Sequence, residues 1–294
     1  MPEPRRYRAL VAEALVIDFF AGWGDSLPMP VRVLAGVAQA LLAPERAFAA
    51  RAVPRFSLFA LLALLLFATA AGETMILWHL RHPVLRQIAL VEARHVAEQR
   101  ALSFADAEEV ERIQATAYRR LTAPSGAAAK TAAVLLSGLV LSAAVVLTWL
   151  ALLVLAQFFG GEERRLPDRP RASVHLVAAA FVPLALRRLL AGGVTLATDP
   201  LAAANVTTVA AYREHTIARF DLAALAPWEP PAFVERGASL VTDPFALWAL
   251  AVLAAGSAAL LRLPAPRALA LTAVIALLWT SFDTVTGGRW ALLA

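Results

Sequence analysis

The stretch Thr131–Phe159, TAAVLLSGLVLSAAVVLTWLALLVLAQFF, contains no charged residue. A helix needs about 20 mostly apolar residues to cross the hydrocarbon core of a bilayer, so this run spans with length to spare. A surface helix of a soluble domain carries a single apolar stripe, and a helix apolar on every face belongs in a deep core or a membrane. Four further segments of the same character lie around it. They are Phe56–His79, uninterrupted until Glu73; Ser173–Leu196, with Pro183 and the pair Arg187–Arg188 inside; Phe245–Leu261; and Ala268 to about Val285. A closed membrane barrel would instead show segments of about ten residues with alternating polarity, and the chain has none. The expected fold is all-α, a polytopic transmembrane helical bundle with five spanning helices and an N-terminal cytoplasmic amphipathic helical region.

Composition points the same way. Of 294 residues, 60% are hydrophobic and 17% charged, against roughly 45–50% and about 25% in soluble domains; mean hydropathy is +0.66. There is no cysteine, which excludes a disulfide framework, a thiolate metal site and a cysteine nucleophile. The net charge of +5 raises the question of nucleic acid. All 27 basic residues except Lys130 are arginine and they cluster between the apolar blocks, where the loop charges of membrane proteins fall. No basic stripe is interleaved with aromatics, as a nucleic-acid groove requires, so no nucleic-acid partner is expected.

Charge placement sets an expected orientation. Arg164, Arg165, Arg169 and Arg171 fill the second loop, Arg262 and Arg267 bracket the turn between spans four and five, and seven arginines precede span one. Short arginine-rich loops stay cytoplasmic, which places the N-terminus inside and the C-terminus outside. The division expected is a cytoplasmic region over 1–55, with amphipathic stretches at about 6–20 and 31–42, and a five-helix domain over 56–290. Those stretches fit either helices lying on the membrane surface or helices packed on the bundle. The first loop, about 80–130, reads as a helical hairpin, Pro83–Arg100 and Asp106–Leu121, the second capped by Ser103 with acids in its first turn and arginines in its last. The third loop, about Thr198–Asp243, is proline-rich and expected to be partly irregular, with one short helix around Ala203–Phe220.

Searches for reaction chemistry lead to no catalytic residue, cofactor or metal site. No G-x-x-x-x-G-K-[ST] loop is present. Gly237-Ala238-Ser239 lacks the facing histidine that would take the serine proton. His79 and His82, and Glu92, His95 and Glu98, have helical spacing for a divalent ion. Pro83 breaks the helix between the two groups, and neighbouring Arg94 and Arg100 make Glu92–Glu98 read as a solvated face. His175 and His215 read as solitary hydrogen-bonding histidines.

Charges inside the spans carry the sharpest signal, because an ionisable group in hydrocarbon is expensive unless it pairs or reaches water. At about 1.5 Å rise per residue, Glu73 lies about 25 Å, Arg187 about 21 Å and Asp283 about 22 Å from the cytoplasmic ends of their spans. The expectation is an intramembrane polar cluster of Glu73, Arg187, Arg188 and Asp283 in the outer third of the membrane; the alternative is snorkelling to the headgroups. Gly138 with Ser142, and Ala251, Ala255 and Ala259 beside Gly256, have the spacing of close helix contacts.

Four motifs resemble those of bacterial Yip1-domain integral membrane proteins. Ala43-Pro44-Glu45-Arg46-Ala47-Phe48 is similar to the family's P-x-x-x-F entry segment, which gives Pro44 and Phe48. Gly160-Gly161 resembles its glycine pair after span two, and Pro183 its proline in span three. Asp243-Pro244-Phe245-Ala246-Leu247-Trp248 resembles its D-x-F-x-x-W start to span four, which gives Asp243, Phe245 and Trp248. The motifs occur in family order over about 44–290. The resemblance implies a membrane protein without catalytic residues; eukaryotic relatives act in vesicle trafficking through Rab-type GTPases and one another. The long first loop and Arg187–Arg188 depart from the pattern. The function expected is therefore a non-enzymatic scaffold or adaptor, with the lipid bilayer, protein partners or further copies of itself as its contacts. The alternative is a transporter or channel component using the polar cluster.

Overall fold

The computed structural model describes residues 29–48, 57–79, 83–101, 107–121, 127–159, 170–198, 206–209, 211–212, 220 and 232–285. The stretch 6–20 and Ser103, Gly160, Gly161, His82 and His215 lie outside this set, and Asp283 and Ser239 are described only as helical backbone. The described residues form helices and no strands. In chain order these are α1 (Met29–Leu42), α2 (Pro44–Ala47), α3 (Leu58–His79), α4 (Pro83–Ala101), α5 (Ala107–Leu121), α6 (Ala127–Phe159), α7 (Pro170–Ala180), α8 (Val182–Ala197), α9 (Ala232–Thr242), α10 (Pro244–Leu261) and α11 (Ala265–Val285).

Among the described residues, five segments are long and apolar enough to span a bilayer: Leu58–His79, Lys130–Phe159, Arg171–Ala197, Pro244–Leu261 and Ala265–Phe282. This is a multi-pass, all-α membrane protein. The third span is the most buried, with 67% of its window inside the protein against 33–44% for the others. The residues that the others leave exposed, such as Phe59, Phe67, Leu139 and Val154, are those that suit contact with lipid chains.

The third span is interrupted at Phe181, whose N–H is shared between the carbonyls of Val177 and Ala178, each at 3.2 Å. Pro183 is the cause: it has no N–H and its ring clashes with the carbonyl one turn back. A different device ends α10. Arg262 takes a left-handed conformation, φ 51°, and the Leu263 N–H reaches back to the Ala258 carbonyl at 3.0 Å, the helix-ending geometry in which glycine usually sits. Pro264 immediately precedes α11, so spans four and five are joined by a very tight turn.

The chain divides into two compact units. One comprises Met1–Leu64, Val145–Val182 and Leu247–Trp279; the other comprises Leu65–Ala144, Pro183–Ala246 and Thr280–Ala294. Each span contributes one end to each unit. In the first unit, tryptophans tie helices together through their N–H groups. Trp149 donates to the Ser173 hydroxyl at 2.9 Å, Trp279 to the Thr148 hydroxyl at 2.8 Å and Trp248 to the Leu41 carbonyl at 3.2 Å. Trp279 also meets Phe181 edge-on, with ring centroids 5.3 Å apart. Such bonds contribute on average about 0.6 kcal/mol each within a bilayer, so together they stabilise by only a few kcal/mol. The Trp248 bond joins α1 to span four and so places that amphipathic helix on the bundle. Pro44 and Phe48 are buried with it, while Glu45 and Arg46 are exposed. Phe48 is thus a core side chain of its unit rather than a surface available to a partner.

In the second unit, α4 and α5 form the hairpin read from the sequence. Leu85, Ile88 and Ala89 of α4 bury the loop residues Val209 and Tyr212, with Tyr118 and Leu121 of α5 packed alongside. Burial raises the pKa of the Tyr212 hydroxyl above 10.0, and the ring lies parallel to that of buried His79, centroids 6.3 Å apart. Most of the third loop, including much of 203–220, lies outside the described residues; its last part forms α9, which the sequence reading did not anticipate.

Candidate functional site

Among the described side chains, Glu73, Arg187 and Arg188 of the spans enter two ion pairs, both in the second unit. Arg188 on α8 binds Glu73 on α3; its Nε donates to the Glu73 carboxylate at 3.1 Å and an NH2 group donates to the same oxygen. Arg187, one residue earlier, binds Asp243 through the other side of the helix, and both side chains are about 95% buried. Successive residues on a helix point about 100° apart, which is why adjacent arginines reach partners on different spans.

Asp243 has a second task. Its Oδ1 accepts the backbone N–H groups of Phe245 at 2.8 Å and Ala246 at 3.3 Å, while its Oδ2 faces Arg187. The residue is therefore the N-cap of α10, satisfying amide groups that have no partner within the helix, and also a counter-ion. The carboxylate that caps the first turn of span four is also the one that neutralises Arg187 of span three. Phe245, two residues on, meets Phe220 edge-on at 5.4 Å.

The expected cluster of Glu73, Arg187, Arg188 and Asp283 is thus only partly assembled by described side chains. Glu73 and Arg188 meet. Arg187 pairs with Asp243, which the sequence reading placed in a family-like motif and not in the cluster. Asp283 is on α11, and its side chain lies outside the described set.

What permits the Glu73–Arg188 contact is glycine. A Cβ on Gly72 would overlap the Arg188 carbonyl, and one on Gly192 would lie 2.6 Å from the Gly72 carbonyl oxygen. The backbones of α3 and α8 are in direct contact there, one residue from Glu73. These glycines are not the pairs singled out from spacing. Gly138 has only ordinary contact with Leu66, 3.5 Å from a built Cβ, and the Ser142 hydroxyl donates to the Gly138 carbonyl in its own helix. Gly256 does serve close packing, with the Leu176 side chain pressed against it.

The residues weighed for metal are held apart by separate partners. Glu92 accepts the Val209 N–H at 2.7 Å, Glu98 binds Arg94 at 3.0 Å on an exposed face, and His95 is hydrogen-bonded to Gln99 at 2.9 Å. Among the described residues no group of three or more histidine and acidic side chains is placed to hold a metal ion. His175 donates from Nδ1 to the Arg171 carbonyl at 2.6 Å, a helix-internal hydrogen bond.

The Glu92 contact adds a hydrogen bond to the packing that holds Val209 and Tyr212 on the hairpin. A hydrogen bond to a charged acceptor is worth about 1.5–3 kcal/mol. Glu92→Leu is expected to lower the protection of the Val209 amide by about tenfold or more in hydrogen exchange, with spans elsewhere unchanged; equal protection would show that packing on Tyr212 suffices.

No protein-family model, no curated protein and no solved structure matches this chain.

Proposed function

We propose that the chain is a non-enzymatic membrane scaffold or adaptor of Yip1 type. On this reading it lies in a bacterial inner membrane, N-terminus inside and C-terminus outside, and engages protein partners through surfaces outside the bilayer. The observation that supports a scaffold over a conducting path is the pairing of the intramembrane charges. Arg188 is bound to a carboxylate within span one and Arg187 to the carboxylate that immediately precedes span four, and one oxygen of Asp243 is also committed to capping a helix. A transport site needs charges that change partner during a cycle; these serve as fasteners between spans. Because Phe48 is buried, the exposed residues that the entry segment offers to a partner are Glu45 and Arg46.

Crosslinking in native membranes, followed by affinity purification and mass spectrometry, tests the reading. A protein partner recovered reproducibly, and lost with Glu45→Arg/Arg46→Glu, is expected. Recovery of nothing beyond the chain itself, together with ion or solute flux in liposomes, would overturn it in favour of transport.

The fastener role has its own test. Arg188→Met alone leaves Glu73 uncompensated and is expected to cost about 3–5 kcal/mol, whereas the joint change Glu73→Leu/Arg188→Met should recover most of it. Partner capture should persist in the double variant. A stable double variant that loses its cellular activity would argue for a polar pathway.

A further inference from the structure

Where the C-terminal end of α3 meets the N-terminal end of α6, a groove of about 290 Å³ opens between the two spans. Thr74, Leu77 and Trp78 form one wall; Lys130, Thr131 and Leu135 stand on the other. Small-molecule pockets begin at about 300 Å³, so this one takes a headgroup and the start of its chains, not a whole lipid. Its place is distinctive. His79 and Lys130 are the terminal residues of the first and second spanning segments, so the groove lies at the boundary between hydrocarbon and headgroups. Trp78 is 64% exposed there and Leu135 63%: an indole at interfacial depth, beside an aliphatic wall open to lipid.

We propose that this groove binds an anionic glycerophospholipid whose headgroup carries hydroxyl donors, as phosphatidylglycerol does. Three features specify that chemistry. Lys130 is the chain's one lysine among 27 basic residues, and a lysine ammonium is a compact charge with three rotatable donors suited to a phosphate. The threonine hydroxyls act in the opposite sense. Thr74 donates its proton to the Ala70 carbonyl at 2.7 Å and Thr131 donates to the Ala127 carbonyl at 3.0 Å, so towards a ligand each oxygen can act only as an acceptor. They suit a partner that brings O–H groups of its own. Leu135, exposed on the lipid side, offers acyl chains an apolar path towards the bilayer, with buried Leu77 at the groove's inner wall. A cationic, acceptor-bearing groove with aliphatic walls selects the phosphate and glycerol of such a lipid over a choline headgroup, which has no hydrogen-bond donor and carries a positive charge of its own.

The full-length protein, extracted and exposed to equal parts phosphatidylglycerol and phosphatidylcholine, is to be examined by native mass spectrometry. The expected result is preferential retention of one phosphatidylglycerol per chain. Lys130→Gln should weaken retention by about tenfold, the effect of one charge-assisted hydrogen bond, while Lys130→Arg should retain most of it. Leu135→Trp fills the groove from its lipid-facing wall without touching the charge, and should also abolish retention. Equal retention of the two lipids, or unchanged retention in both Lys130→Gln and Leu135→Trp, would overturn the proposal. Displacement of the lipid by millimolar inorganic phosphate would overturn it too, by identifying a site for a free anion.

Discussion

Asp243→Asn is expected to destabilise the protein by about 3–5 kcal/mol, the cost of stranding one member of a buried ion pair. Asparagine is as good an N-cap as aspartate, so the cap on α10 should survive and the loss should report on Arg187 alone. Asp243→Ala removes cap and charge together and should cost about 1 kcal/mol more. The informative comparison is Arg187→Met/Asp243→Asn. With both charges gone and the cap retained, most of the stability should return, because a buried ion pair is often no better than well-packed neutral side chains of similar volume. Unfolding in mixed micelles, followed by tryptophan fluorescence or circular dichroism, measures all four proteins. Wild-type stability in Asp243→Asn would mean that the pair contributes nothing to holding spans three and four.

The crossing of α3 and α8 should respond as sharply. Gly192→Ala puts a methyl group 2.6 Å from a carbonyl oxygen and 2.9 Å from the Gly72 Cα, and neither is a flexible side-chain tip that can swing away. The helices must separate, at about 1–3 kcal/mol for the overpacking itself, with a further loss if Arg188 is drawn off Glu73. Gly193→Ala is the matched control. No atom lies within 4 Å of a Cβ there, and alanine in place of a helical glycine stabilises by roughly 0.5–1 kcal/mol. Adjacent glycines should thus give effects of opposite sign in the same unfolding assay. Two losses, or two gains, would show that the backbones are not in contact at this crossing.

The parts of this architecture legible in the sequence are those governed by local chemistry. Apolar runs as long as Thr131–Phe159 have one physical outcome, and the α4–α5 hairpin follows from its proline and charged first and last turns. Tertiary pairing is a different matter. Glu73, Arg187 and Arg188 stand out because they interrupt apolar runs, but Asp243 sits at the start of a span, where charges ordinarily face water, and nothing local marks it as the partner of a residue in another helix. Counting depth along each span placed Asp283 near the arginines without saying which helices are neighbours. The Gly72–Gly192 contact was hidden for the same reason. Its two glycines are on different spans, so no spacing within either segment could link them; the signal was only that glycine is a costly residue to keep in a helix. Helix α9 was not anticipated because the prolines before it dominate the local pattern and draw the reading towards a loop.

The two ion pairs also bear on how the chain is made. An arginine at the centre of a membrane helix disfavours insertion by about 2.5–3.5 kcal/mol on translocon-based scales, and span three carries two. Glu73 precedes them in the chain and is already in place when they emerge from the ribosome, but Asp243 has yet to be synthesised. Span three therefore reaches the bilayer with Arg188 matched and Arg187 still in need of its carboxylate. Neutralisation of Arg187 waits for the residue that opens span four, so the full pairing of span three requires chain beyond its own end.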